Sequence, residues 1–306
     1  MYVNKGARLG NLIREQRWTL TALLTLALVT GFLGEYVAGV ELFSVVYVGV
    51  FSTALSIFLV FRFNEAYERW WEARKLWGAL VNESRNFARQ VQTLLDDEAR
   101  RSEGTGLVRR QIAFVHGLRI HLRQGSSDRG REELHTELTR IVPDEAPELM
   151  QHANVLNALL RRQGERLAAH LSSSTAERVL LTRFDETLGR MHDIQGACER
   201  IKNTVFPDAV TTITRVLVWG LVVLLMLATV ETQGRGGPVE IFAVCVMSMG
   251  YIWIDAMGQS LKNPFEGQPN DTPMTALSTS IERDLRELLG ETELPAPVQP
   301  VDGVLM

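Results

Sequence analysis

Residues 43–61 read FSVVYVGVFSTALSIFLVF, an unbroken run without a charge, and at Arg62 the chain passes directly into RFNEAYERWWEAR (62–74). An uncharged run approaching 20 residues matches a helix that crosses a bilayer, whereas a strand in a globular sheet is far shorter. From Arg62 to Asp97 there is no proline and only one glycine, Gly78, so the spacing of helix formers predicts that the span continues as one long helix into a polar environment.

Working outward, residues 19–34 (TLTALLTLALVTGFLG) form a second uncharged run that reaches spanning length when continued to Val40. The connection to Phe43 is short, so the two read as a hairpin. A third apolar segment runs from Ala209 to Val230 and contains Arg215; a fourth runs from Val239 to Ile254 and ends at Asp255. A guanidinium at a bilayer centre costs roughly 2.5–3.5 kcal/mol on insertion scales, which places Arg215 at a membrane edge or against a wet interior. A short apolar run can also be the buried helix of a soluble core, but two long uncharged runs in tandem do not fit that reading. Nor does the first resemble a cleaved signal peptide: it is long, is followed by Glu35 and Tyr36, and lacks a small-residue cleavage site.

Lys5, Arg8, Arg14 and Arg17 precede the first span, no basic residue lies between Glu35 and Leu42, and only Arg235 separates spans three and four. The positive-inside rule then predicts a multi-pass protein of the plasma (inner) membrane with both termini cytoplasmic. The expected organisation is residues 1–61 with spans one and two, a cytoplasmic helical region over 62–208, spans three and four within 209–258, and a cytoplasmic C-terminal segment over 259–306.

Composition alone conceals this pattern. The 306 residues are 46% apolar and 22% charged, and the mean hydropathy is +0.01 because very apolar and very charged stretches cancel. A net charge of −4 and the lack of aromatic platforms interleaved with Lys and Arg argue against nucleic acid as a partner. Cys198 and Cys245 lie in a polar helix and an apolar segment, so no disulfide framework is indicated.

In the polar region, Leu107–Gln124 has apolar residues at helical spacing. Pro147 is expected to open a helix running through PELMQHANVLNALLRRQGERLAAHL, Ser172–Ser174 to break it, and Thr175–Lys202 to form another. Leu277, Ile281, Leu285 and Leu288 line one face of a charged helix, a pattern suited to docking on a partner surface. The proline-bearing tail after Leu294 reads as disordered. The fold class is therefore all-α, an integral membrane protein of four spans joined to a cytoplasmic helical bundle.

The Asn64, Tyr67 and Arg69-Trp70-Trp71-Glu72-Ala73-Arg74 pattern at the end of span two resembles the bestrophin family of ion channels. Three further pieces agree in order: Cys198-Glu199-Arg200-Ile201 ahead of a proline-started third span, Asn263-Pro264-Phe265 after the fourth, and IERDLREL at 281–288. The resemblance covers nearly the whole chain and implies a homopentamer around one central pore. It places an apolar neck at Thr53, Ile57 and Phe61, which share a helix stripe, and a second, cytoplasmic constriction at Phe206. Two departures from the family pattern bear on ion preference: Thr53 is polar, and Asp208 follows Pro207 where an apolar residue is usual. Calcium-gated members carry an acidic run after Asn-Pro-Phe; here only Glu266 and Asp271 follow, which does not supply the oxygen-rich cage that calcium takes, and calcium gating is not expected.

Taken residue by residue, other readings stand beside this one. Ile57 and Phe61 also suit helix packing or lipid contact, Ser52 and Ser56 suit close helix approach, and the Trp70, Trp71 and Trp77 indoles suit interfacial anchoring. His192 and Glu199 share a helix face but have no converging ligand set, and no Walker, nucleophile-elbow, zincin or paired Cys-x-x-Cys motif occurs. No enzyme activity, metal or cofactor is expected. The sequence points to a channel for monovalent ions, chloride or sodium unresolved, whose partners are the ions, the bilayer and further copies of itself. Its rival is a membrane-anchored scaffold that binds a partner through the Leu277 face.

Overall fold

The computed structural model describes residues 17–37, 45–125, 127–171, 173–204, 208–233, 238–301 and 303–306. Regular structure among them is helical apart from one isolated bridge, Val301–Val304. The helices are α1 (Arg17–Val37), α2 (Val45–Leu94), α3 (Thr105–Gln124), α4 (Asp128–Ile141), α5 (Ala146–Leu149), α6 (Val155–His170), α7 (Thr175–Asn203), α8 (Asp208–Gln233), α9 (Pro238–Leu261) and α10 (Met274–Leu288). A single turn, Asp97–Ala99, and a π-helical turn, Arg100–Gly104, lead into α3. The chain divides into two compact units: residues 4–69 with 205–262, and residues 70–204 with 263–306.

The first unit holds α1, the apolar part of α2, α8 and α9. Among the described residues, Val46–Leu94, Ala209–Ala228 and Val239–Leu261 are long and apolar enough to cross a membrane, while the described apolar part of α1, Arg17–Thr30, is shorter. Leu23, Leu55, Leu59, Val218, Leu221, Val222, Met226 and Ile252 form their common core. Four hydroxyls on these helices are satisfied locally: Thr30, Ser52, Thr53 and Thr214 each donate to the carbonyl four residues back. That is the inexpensive way to carry a polar group where water is scarce. Ser56 also meets the Tyr251 hydroxyl at 2.9 Å, pinning α2 to α9.

As its sequence requires, α2 is one continuous helix of 50 residues, about 75 Å at 1.5 Å per residue. Trp77, Leu80, Phe87, Ala88 and Val91 of its polar half belong to the core of the second unit.

That second unit is built around α3, most of whose residues are buried despite Arg110, Gln111, His116 and Arg119. Each polar group enters the core with a partner. Arg110 pairs with Glu145 at 2.7 Å, Arg119 with Glu133 at 3.0 Å, His116 with Glu282 at 2.8 Å, and Gln111 donates to Ser84 at 2.9 Å. An unpaired charge at such depth costs several kcal/mol, so these contacts select the partners of α3 as much as its apolar face does. Gly117 brings α6 close: a Cβ there would stand 2.8 Å from Leu156 Cδ2.

Three expectations change. The helix foreseen from Pro147 to Leu171 is two: α5 ends at Leu149, and Asn154, whose side chain accepts from Asn157 N–H at 3.0 Å, caps a new start at Val155. The Leu277 face is not a free docking surface, because Met274, Ile281 and Leu285 are buried in this chain's own core and α10 packs on α3. The segment after Leu294, read as disordered, is extended and tethered: Arg283 donates to the Pro295 carbonyl and Ala276 N–H to the Met306 carbonyl at 2.8 Å. The remaining break falls as read, with Ser174 and Glu177 closing a capping box at the start of α7.

Candidate functional site

Along α2 the residues facing the unit's own core are Leu55, Leu59, Arg62 and Ala66, all buried. At about 100° per residue, the Thr53, Ile57, Phe61 stripe lies roughly 190° around the helix from them. The three side chains are accordingly exposed on the single chain, Ile57 at 54% and Phe61 at 65%. Thr53 turns its hydroxyl onto the Gly49 carbonyl at 3.0 Å, leaving its methyl as the outward surface. An isobutyl-sized and an aromatic side chain standing uncovered one turn apart need lipid, another copy of the chain, or a narrow, poorly wetted passage around them.

One residue beyond Phe61, Arg62 turns the opposite way. Its guanidinium meets Asp255 of α9 at 2.6 Å, with both side chains 8% exposed, and reaches the Thr211 hydroxyl of α8 at 3.3 Å. The other Asp255 oxygen accepts from Gln259 at 2.6 Å, whose own oxygen accepts from Arg215 at 2.7 Å. This polar chain ties α2, α8 and α9 together immediately below the stripe. Sequence reading marked Arg62 and Asp255 only as the ends of two apolar runs. Opposite charges closing two parallel spans, the second and the fourth, at the same end were the available signal for their pairing.

Phe206 lies outside the described residues. Asp208 begins α8, and its side chain also lies outside them. In the loop after Asn263-Pro264-Phe265, Glu266 pairs with Lys202 at 2.7 Å. Asp271 accepts from Gln268 N–H at 2.9 Å, and burial raises its pKa above the usual carboxylate range. The two acids of this loop are thus already engaged within the chain.

His192 is exposed, its Nδ1 3.2 Å from the Leu188 carbonyl, while Gln195 is held by Asn157 and Glu199. These residues do not converge on a common point that could hold a substrate. Buried Cys198, two turns along α7 from Met191, is pushed up to about 12 by burial and, secondarily, by Glu199 and Glu72, so it stays a packed thiol.

A crystal structure of a bacterial bestrophin homolog from Klebsiella pneumoniae shares this architecture with a TM-score of 0.80 at 24% identity, over 90% of this chain and 99% of that one. The class is therefore an all-α protein of bestrophin fold. "Voltage-dependent anion channel-forming protein YneE" of Escherichia coli K12 is 34% identical over 253 residues, 82% of this chain and 79% of the relative. The similarly described mll4386 of Mesorhizobium japonicum is 32% identical over 249 residues, 81% and 76%. The family described as Bacterial/Fungal Bestrophin protein matches residues 6–287, and the chain belongs to it.

Proposed function

We propose that this protein is an ion channel in which five copies surround one pore, four spans per copy, with Thr53, Ile57 and Phe61 forming a hydrophobic neck and Phe206 a second, cytoplasmic constriction. The observation that carries the reading is the orientation of the stripe: the side chains assigned to the neck are among those that α2 turns away from its own chain's core. In the pore, rings of Ile57 and Phe61 restrict passage to small monovalent ions by making them shed water in a dry collar. Both termini face the cytoplasm of a bacterial plasma membrane, as the basic residues before α1 favour.

Anions are the first choice of cargo, because the relatives described above carry anion channel-forming names. A specific feature favours the second: a ring of Asp208 carboxylates at the inner mouth would attract cations. The scaffold alternative has lost the surface it needed, since the Leu277 face is spent on the chain's own bundle.

The test is flux from liposomes holding the purified protein, wild type beside Phe61→Ala, with the reversal potential measured in a planar bilayer under a salt gradient. The expected result is severalfold faster flux in the variant, and a reversal potential of anion sign that Asp208→Asn moves further in the same direction. Equal flux from the two proteins would remove Phe61 from the neck, and no flux from either would remove the channel.

A further inference from the structure

Between α1, α8 and α9 runs a half-open groove of about 310 Å³, bordered by Thr19, Arg215, Val218, Trp219, Asp255 and Gln259. Its charge is unbalanced. Asp255 is neutralised from behind by Arg62 at 2.6 Å and capped by the Gln259 amide. Arg215 is exposed, and its partner is the Gln259 carbonyl oxygen at 2.7 Å, which brings no charge; no carboxylate pairs with it among the described residues. The groove therefore presents one net positive charge beside a half-buried indole, that of Trp219 one turn along the same helix.

Its level is also defined. Arg62 ends the apolar run of α2, Asp255 ends that of α9, Arg215 lies in the second turn of α8, and Arg17-Trp18 begin α1. Charges thus gather at one end of four apolar helices, the depth at which headgroups lie and Trp is enriched. The volume is at the lower end of the roughly 300–1,000 Å³ of small-ligand sites, room for a headgroup and not for a whole lipid. Deeper along the same face of α8, Val223 stands two turns beyond Arg215 at 38% exposure and with Val216, 64% exposed, leaves an apolar face uncovered where acyl chains can lie.

We propose that this groove holds the phosphate of an anionic phospholipid, with Arg215 as its charge partner, Trp219 against the glycerol region and the Val216–Val223 face along the acyl chains. A free phosphate would satisfy Arg215 equally but leaves that apolar face without an occupant, which favours the lipid. Among donors, a guanidinium suits a phosphate because it offers parallel N–H groups to two oxygens.

The experiment is native mass spectrometry of the full-length protein released from a neutral detergent. Phosphatidylglycerol or phosphatidylcholine with matched chains is added, with and without millimolar inorganic phosphate. Wild type is expected to retain phosphatidylglycerol about tenfold over phosphatidylcholine, Arg215→Gln to lose that preference and Arg215→Lys to keep most of it, in line with a charge-assisted contact. Thr19→Glu sits in the first turn of α1, where the helix dipole welcomes a carboxylate, and is expected to abolish the preference by supplying a competing anion without removing Arg215. Equal retention of the two lipids, or an unchanged preference in Arg215→Gln or Thr19→Glu, overturns the proposal. Displacement of the lipid by inorganic phosphate assigns the groove to a soluble anion and overturns the lipid assignment.

Discussion

Asp255→Ala should be among the most damaging single changes available in the spans. It leaves Arg62, 8% exposed, with the Thr211 hydroxyl at 3.3 Å as its remaining bond. Removing one member of a buried pair costs about 3–5 kcal/mol, because the survivor keeps its desolvation penalty and loses its counter-charge. Converted at 1.4 kcal/mol per factor of ten, the unfolding equilibrium shifts by roughly two to three and a half powers of ten. Arg62→Met alone should do nearly as much by stranding the Asp255 carboxylate, which retains only Gln259. The double variant Arg62→Met/Asp255→Leu removes the cost together with the attraction and should lie within about 1 kcal/mol of wild type, since apolar replacement of a buried pair is often neutral. The assay is a double-mutant cycle by equilibrium titration with a denaturing detergent, read by far-ultraviolet circular dichroism. A coupling energy of about 2 kcal/mol or more is expected. If the single losses simply add in the double variant, Arg62 and Asp255 do not act as a pair and the account of the polar chain below Phe61 fails.

Three further outcomes follow from the bundle around α3. Gly117→Ala sets a methyl 2.8 Å from Leu156 Cδ2 and should cost about 1–3 kcal/mol, toward the low end if the Leu156 side chain rotates; the companion Leu156→Ala should relieve part of that loss in thermal melts. At Glu282, burial works to raise the pKa, but hydrogen bonds from His116 and Arg140 outweigh it and hold the carboxyl down at about 2, with Arg286 as the remaining charge facing it. Because the folded value lies below the unfolded one, this group's stabilisation is present above roughly pH 4.5 and is lost as pH falls toward 2. Glu282→Gln should therefore be less stable than wild type at neutral pH and show a shallower loss on acidification, and equal slopes between pH 5 and 2 would contradict the assignment. His116→Met removes the bond to Glu282 while Arg140 still holds the carboxylate, and should melt lower than wild type; a melt no lower would show that the contact adds nothing.

What the sequence disclosed and what it concealed divide along physical lines. Apolar length and helical period are local properties, and they made three of the spans, the unbroken course of α2 and the apolar face of α10 legible, though not that α10 turns this face into its own chain's core. The break at Met150–Asn154 was missed because the proline at 147 was weighed more heavily than the Asn154-x-x-Asn157 cap, which is the stronger start signal there. The burial of Arg110, His116 and Arg119 was invisible to any periodicity count, which assigns charged residues to the surface; their partners lie 35, 166 and 14 positions away and become neighbours only on folding. For the candidate site, spacing alone allowed several stripes of α2 to face a pore, and the resemblance selected one. The structure adds that this stripe points away from the core, a fact that depends on where α8 and α9 pack and so cannot be read from α2.

The pairing of His116 with Glu282 carries a consequence for how the chain is made. The ribosome delivers α3 early, with its imidazole and guanidinium groups in place, and Arg119 and Arg110 meet Glu133 and Glu145 within the next few dozen residues of synthesis. His116 must wait until both later apolar segments have been handed to the membrane, because Glu282 leaves the exit tunnel after all of them. Through that interval the bundle has a polar gap at its centre, and it closes when α10 arrives, so the last long helix translated is also the one that completes the fold. A chain stopped short of residue 282 is consequently left with a wet hole in its core, a defect by which cellular quality control can distinguish an unfinished subunit from a finished one.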